Sequence, residues 1–337
     1  MFLARRYENL VYILFVILLL LLSPVIPKWI EFLIIIALIY AIAVLGLIPL
    51  SGLGGLISFG NGAFLTLSAY TVGLLIRYLK IDSLILLIIP AILIPVIVAW
   101  IFSLLALRAR YIFFALITLA FTMLIYTLLL KFYVYTGGTD GLRIPNIALI
   151  KDILDLKVRD YILGRASTSY YITVITFAII LFITKRILNS PFALGLAALR
   201  DNERRAKDLG INPNTLYLYA FMYSAFTASL SGILYAISVG HIDPGLAYWT
   251  GPSAKIVFIA TLGGFTAPGS IIASFIYILL ESYALKYLSY YWQFLMGSIL
   301  LLILLTSPKG LSALFESLLK QFSKMQSLAH LKRYTQK

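Results

Sequence analysis

SPFALGLAALRDNERRAKDLGINP, residues 190–213, is a polar island in an otherwise apolar chain. Ser190 and Pro191 read as an N-cap followed by proline at the first helical position, and Gly210 with Pro213 reads as the stop. Phe192, Leu196, Leu199, Ala206 and Leu209 recur at spacings of three, four and seven, which predicts one face of a single amphipathic helix. The opposite face sets Asp201 four residues ahead of Arg205 and Glu203 four ahead of Lys207, the order that supports a helix. Charges this dense do not enter lipid, so the stretch connects two membrane spans. It reads as a docking surface for a soluble partner; the plainer alternative is a solvated connecting helix.

Outward from that island the chain is apolar. It is 62% hydrophobic, with a mean hydropathy of +1.00, and apolar runs recur along nearly all of its 337 residues. The expectation is an all-α polytopic membrane protein without a large soluble domain. A net charge of +14 does not point to nucleic acid here. The basic residues sit mostly in short connections and the tail, where they report orientation and contact with anionic lipid. There are no cysteines, and the two histidines, His241 and His330, are far apart. Disulfides, thiolate metal sites and cysteine nucleophiles are excluded, and no metal or other cofactor is expected.

Taken in order, Arg5 and Arg6 precede a first apolar run, Leu10–Leu22, with no small-residue cleavage site, read as an uncleaved span with a cytoplasmic N-terminus. A second span covers Ile30–Leu50, with Lys28 and Glu31 snorkelling outside. The third, SGLGGLISFGNGAFLTLSAYTVGLLIRYL at Ser51–Leu79, holds Gly52, Gly54, Gly55, Gly60 and Gly62 within eleven residues. Each interior glycine costs a helix about 1 kcal/mol relative to alanine. Five together predict a broken helix or a very tight crossing. Irregular backbone at membrane depth needs protein or a water-filled cavity around it, so Gly54, Gly55, Ser58, Gly60 and Asn61 are candidates for lining a translocation path, against ordinary small-residue packing.

Ser83–Leu107 follows with Pro90 and Pro95, then a turn bearing Arg108 and Arg110, then Tyr111–Leu130, whose Thr118 joins the path candidates. Residues 131–168 form an extracytoplasmic loop, in which Gly138 and Asp140 of TGGTDGLRIP are candidate contacts for ligand or a docked protein, or simply turn chemistry. Tyr170–Leu188 delivers the chain to residues 190–210, and Thr215–Val239 is rich in small residues suited to close helix packing. Gly251–Tyr287 splits at Gly263, Gly264, Pro268 and Gly269 into two segments, because the basic tail, residues 309–337, favours a cytoplasmic C-terminus. With Tyr291–Thr306 this makes about ten segments; nine, one of them re-entrant, is the alternative. LGGLISFGNG at Leu53–Gly62 is echoed by LGGFTAPGSI at Leu262–Ile271, which adds Gly263 and Gly264 to the path candidates.

GLGGLISFGNGAFLTLSAYT (Gly52–Thr71), YIFFALITLAF (Tyr111–Phe121), TGGTDGL (Thr136–Leu142), SPFALGLAALRDNERRAKDLGIN (Ser190–Asn212) and VFIATLGGFTAPGSIIAS (Val257–Ser274) resemble the permease subunits of branched-chain amino acid ABC importers, of the LivM type. The resemblance covers nearly the whole chain, with residues 1–308 as the permease domain. It departs at Ile57 and Asn61, where the family usually has Gln and His. The resemblance implies a plasma-membrane transport subunit rather than an enzyme, carrying leucine, isoleucine and valine by alternating access. It implies a second permease of the LivH type, two ATP-binding subunits and an extracytoplasmic substrate-binding protein. It likens residues 190–210 to an importer's coupling loop, with Arg200, Glu203, Arg204, Ala206 and Gly210 as the ATPase-coupling residues.

The chain has no G-x-x-x-x-G-K-[ST] phosphate loop, so the energy comes from a partner or an ion gradient. A same-family importer of urea, short amides or a sugar stays open. A secondary transporter is disfavoured, since Glu281 is the one carboxylate well inside a span. An intramembrane enzyme lacks its nucleophile or metal cluster.

Overall fold

The computed structural model describes residues 2–81, 83–144, 168–288, 290–306 and 310–311. They form two compact units, residues 1–257 and 258–337.

In the first unit the long helices are α1 (Phe2–Leu22), α2 (Lys28–Leu47), α3 (Asn61–Leu79), α4 (Leu84–Ala106), α5 (Tyr111–Lys131) and α6 (Thr168–Leu188). Two short ones, α7 (Pro191–Asp201) and α8 (Glu203–Asp208), precede the 27-residue α9 (Pro213–Val239). At 1.5 Å per residue α9 is about 40 Å long, enough to cross the hydrocarbon core. It packs against α2, α3 and α4, and its small residues are the reason it does so closely. A side chain at Gly232 would run into the Leu65 carbonyl of α3, and one at Gly46 of α2 into the Thr227 hydroxyl of α9. The Ser231 hydroxyl donates to Ile39 O at 3.0 Å and that of Ser68 to Ser229 O at 2.7 Å. These bonds between helices replace the apolar driving force that lipid does not supply. Phe64, Phe102, Phe114, Phe121 and Phe221 fill the space between α3, α4, α5 and α9, with ring centroids 4.1–6.3 Å apart.

Past Val239, residues His241–Ile242 pair antiparallel with Leu142–Arg143 as a two-stranded sheet. This ties the connection after α5 to the far end of α9. Gly141 lies against the Ile242 carbonyl at φ 68°, a place where any Cβ would collide. Residues 145–167, with Asp152, Asp155 and Asp160, lie outside the described residues.

The second unit contains the remainder of α10 (Ala254–Leu262), then α11 (Ala267–Tyr287) and α12 (Trp292–Thr306). The expected split of Gly251–Tyr287 is present: a turn at Gly263–Thr266 separates α10 from α11, and the Thr266 hydroxyl caps α11 by accepting from Gly269 N at 3.3 Å.

Each expected segment contains a helix, and seven of the described helices are long and apolar enough to cross a membrane. The apolar parts of α1 and α12 are shorter. Nine-residue α10 is about 14 Å long, so it does not cross alone. Two local expectations fail. Glu31 is 4% exposed, buried rather than snorkelling. Residues 191–209 are not one helix: Asn202, at φ −159° and ψ 100°, breaks them, and its side chain caps α8 by accepting from Arg205 N at 2.9 Å. The break takes Asp201 and Arg205 out of helical register. It also turns Leu209 out to 76% exposure, off the face that buries Leu196, Leu199 and Ala206.

Candidate functional site

The glycine-rich segment breaks as its composition requires. After α2 the backbone widens into a π-helical turn at Ile48–Leu53, then leaves helical geometry until α3 begins at Asn61. Its position follows from its partners on α9. Gly54 O accepts from the Tyr217 hydroxyl at 3.3 Å, near the start of α9, whereas the Asn61 amide oxygen accepts from Ser224 at 3.0 Å. Ser224 lies eleven residues into α9, about 16 Å along it. The chain therefore runs along α2, turns beside the start of α9, and returns without helical geometry to the level of Ser224 before α3 begins.

The returning segment is held by α5. Thr118 Oγ1 accepts from Phe59 N at 3.1 Å, and Thr122 Oγ1 donates to Phe59 O at 2.9 Å. Ser58 Oγ accepts from Gly60 N at 3.2 Å. Ser58, Gly60, Asn61 and Thr118 are thus brought together, all buried. Gly62 touches Ser253 so closely that no side chain fits between them. Asn61 Nδ2 and Ser253 Oγ, both buried, have no protein partner among the described residues. Ile57 faces outward at 40% exposure.

Gly263 and Gly264 belong to the other unit, where they build its own helix break. The second glycine of each LGG is left-handed, Gly55 at φ 71° and Gly264 at φ 67°, and a new helix starts within a few residues of each. The echo in the sequence is therefore an echo in backbone geometry.

At the start of α9 sits the charged element α7–α8. Arg110, from the turn between α4 and α5, lies 3.3 Å from Glu203 Oε2, donates to Asn214 Oδ1 at 2.6 Å, and stacks 5.0 Å from the centroid of Tyr217. It also donates to Leu107 O. Lys207 Nζ stands 2.9 Å from Glu203. Burial raises the Glu203 pKa, but the Lys207 hydrogen bond and the Arg110 charge outweigh it and hold the carboxyl below its ordinary range. Ala206 is buried and Arg204 exposed. Gly210 ends α8 at φ 86°, with its N–H bonded to Lys207 O and the next, Ile211 N, to Ala206 O, a Schellman cap. Nothing lies within 4 Å of where its Cβ would stand. Leu194, 74% exposed, and Leu209 are apolar side chains facing out of this charged element.

Arg110 was legible only as a charge in a tight turn; what makes it a site residue is a partner ninety-three positions away, which no local pattern announces. At the opposite end of α9, Gly138 is buried in a turn and Asp140 is exposed. Among the described residues no cluster of histidine, aspartate or glutamate suits a metal ion.

Seven apolar spans, a broken helix and a charged connecting element define a multi-pass helical membrane protein. The chain belongs to the family described as branched-chain amino acid transport system / permease component, whose model matches residues 29–304. Among its relatives, the high-affinity branched-chain amino acid transport system permease protein LivM of Escherichia coli K12 is 28% identical over 290 residues, covering 81% of this chain and 67% of LivM. LivM of Salmonella typhimurium is 27% identical over 288 residues. LivH of Salmonella typhimurium, a permease protein of the same kind of system, is 25% identical over 281 residues and 90% covered. No solved structure matches the chain.

Proposed function

We propose that this chain is one of two permease subunits of an ATP-driven importer and forms, with a second permease of the LivH type, the path for leucine, isoleucine and valine. Two ATP-binding subunits dock on α7–α8, and an extracytoplasmic binding protein delivers substrate to the opposite face, where Gly138 and Asp140 sit. The names of the LivM and LivH relatives support the substrate and the paired permeases. The observation that carries the mechanism is the build of α7–α8: one side is tied to the α4–α5 turn and the glycine break, and the other presents Leu194 and Leu209. An element moved from outside is thereby connected to the backbone nearest the path. ATP-driven closure of the partners shifts α7–α8, and the attached helices open the path alternately to each side.

The test is uptake of labelled leucine into vesicles holding this chain with its ATP-binding subunits, second permease and binding protein, ATP inside, each component omitted in turn. Uptake that requires every component is expected. Uptake by this chain alone on a proton or sodium gradient would overturn the reading. ATP-dependent activity that ignores leucine and accepts urea, an amide or a sugar would overturn the cargo and leave the machine.

A further inference from the structure

Breaking a helix strands carbonyls. In an unbroken helix Leu56 N–H would bond Gly52 O; here it goes to Leu50 O at 3.2 Å, and Gly54 N–H goes to Pro49 O at 3.0 Å. The orphaned groups of the break are met by side chains instead. Ser51 Oγ donates to Leu56 O at 2.9 Å, and the Tyr217 hydroxyl reaches Gly54 O. Gly52 O receives a charged donor: Arg200 Nη1, from the last turn of α7, at 2.6 Å.

The stem of that arginine lies across Gly55. A Cβ at Gly55 would stand 3.1 Å from Arg200 Cγ, and φ 71° already favours glycine there. The glycine thus permits both the turn and the arginine's approach. Arg200 is exposed as a residue, yet its guanidinium is turned to the break. It makes a direct polar bond from α7 to the broken stretch that follows α2.

We propose that Arg200 is a positioning residue that makes the break at Gly52–Gly55 follow α7, so that displacement of the docking element reaches the returning segment and Asn61. This rests on the importer reading above and adds the connection through which the two ends communicate. Coupling of this sort needs a physical link between two elements that each side biases.

The experiment uses the reconstituted complex with labelled leucine, comparing Arg200→Gln and Arg200→Lys with the unaltered chain. The expected result for R200Q is ATP hydrolysis retained and leucine uptake per ATP reduced about tenfold, within the usual range of coupling energies. R200K, which keeps one charged donor, should lie between. A purely structural role would lower hydrolysis and uptake together and leave their ratio unchanged, which would overturn the proposal.

Because the chain has no cysteine, spin labels at Ile57→Cys and Asp201→Cys, both exposed, read the distance across the contact with Arg200 in place. That distance should be the same without nucleotide and with ATP plus vanadate. A shift between the two states would mean that the elements move independently, and it decides the matter even if R200Q fails to assemble. If the unaltered complex shows no ATP-dependent leucine uptake, the importer reading itself falls; if it couples and R200Q couples equally, only the role of Arg200 falls.

Discussion

Glu203 shows how one side chain acquires partners that its neighbours in sequence only half explain. Its pairing with Lys207 is a helical spacing; its pairing with Arg110 is made by the fold. Because its folded-state pKa is depressed, the ionised carboxylate contributes stability that is fully present above its ordinary value of 4.5 and is lost as pH falls through the lower folded value. Glu203→Gln should therefore destabilise the purified protein at neutral pH by about 1 kcal/mol, the scale of a part-exposed ion pair. Thermal melting in detergent should show the gap to the unaltered chain closing as the pH drops below 4.5. A gap unchanged on acidification would remove the ionic explanation. Gly210 makes a complementary case. Its left-handed φ costs a substituted alanine about 1 kcal/mol, yet open space surrounds the site. Gly210→Trp should accordingly leave melting of the isolated chain within a few degrees while separating ATP hydrolysis from leucine uptake in the complex, since the added ring meets only a docked partner. Unchanged coupling would place the partner elsewhere.

Among the elements, those set by local rules were readable and those set by distant partners were not. Five glycines within eleven residues announced the break after α2 because no pairing is needed to know that such a helix is weak. Gly263, Gly264, Pro268 and Gly269 announced the split before α11 in the same way. The single helix expected over 191–209 failed at Asn202, whose capping preference outweighed an apolar period that continued through it. Period alone put Leu209 on the buried face; the break rotated it away. The level of the returning segment was likewise hidden, since it depends on Tyr217, Ser224, Thr118 and Thr122, all more than fifty residues off in sequence. Close packing of α9 was foreseen from its small residues, and it yields a sharp expectation. Gly232→Val drives a side chain into the Leu65 carbonyl, which is backbone and cannot rotate aside. Overpacking of this kind costs about 1–3 kcal/mol. Gly297, with nothing within 4 Å of its missing Cβ, is the control: Gly297→Val should be recovered from membranes in ordinary amounts, and Gly232→Val should not.

At the scale of the molecule, α9 is a ruler that orders the first unit's functional parts. Arg110, Glu203, Asn214 and Arg200 gather at its start, and the pairing of Leu142–Arg143 with His241–Ile242 lies beyond its end. About 40 Å of helix separates them, so the two groups face opposite sides of a bilayer whichever way the chain is inserted. Charge chooses the direction. The connections at the docking end carry Arg108, Arg110, Lys185, Arg186, Arg200, Arg204, Arg205 and Lys207, and an excess of Lys and Arg in short connections marks the cytoplasmic side. In the importer proposed above ATP is cytoplasmic as well, so orientation and energy source would make the same demand on α7–α8. The absence of cysteine makes this directly measurable, because any single cysteine added is the only thiol. Leu194→Cys should stay unlabelled by a membrane-impermeant maleimide in intact cells and react once the membrane is opened, whereas Asp140→Cys should react in intact cells. The reverse pattern would turn the molecule over and leave its charged element on a side without ATP. Labelling of both in intact cells would be incompatible with a 27-residue α9 crossing the membrane at all.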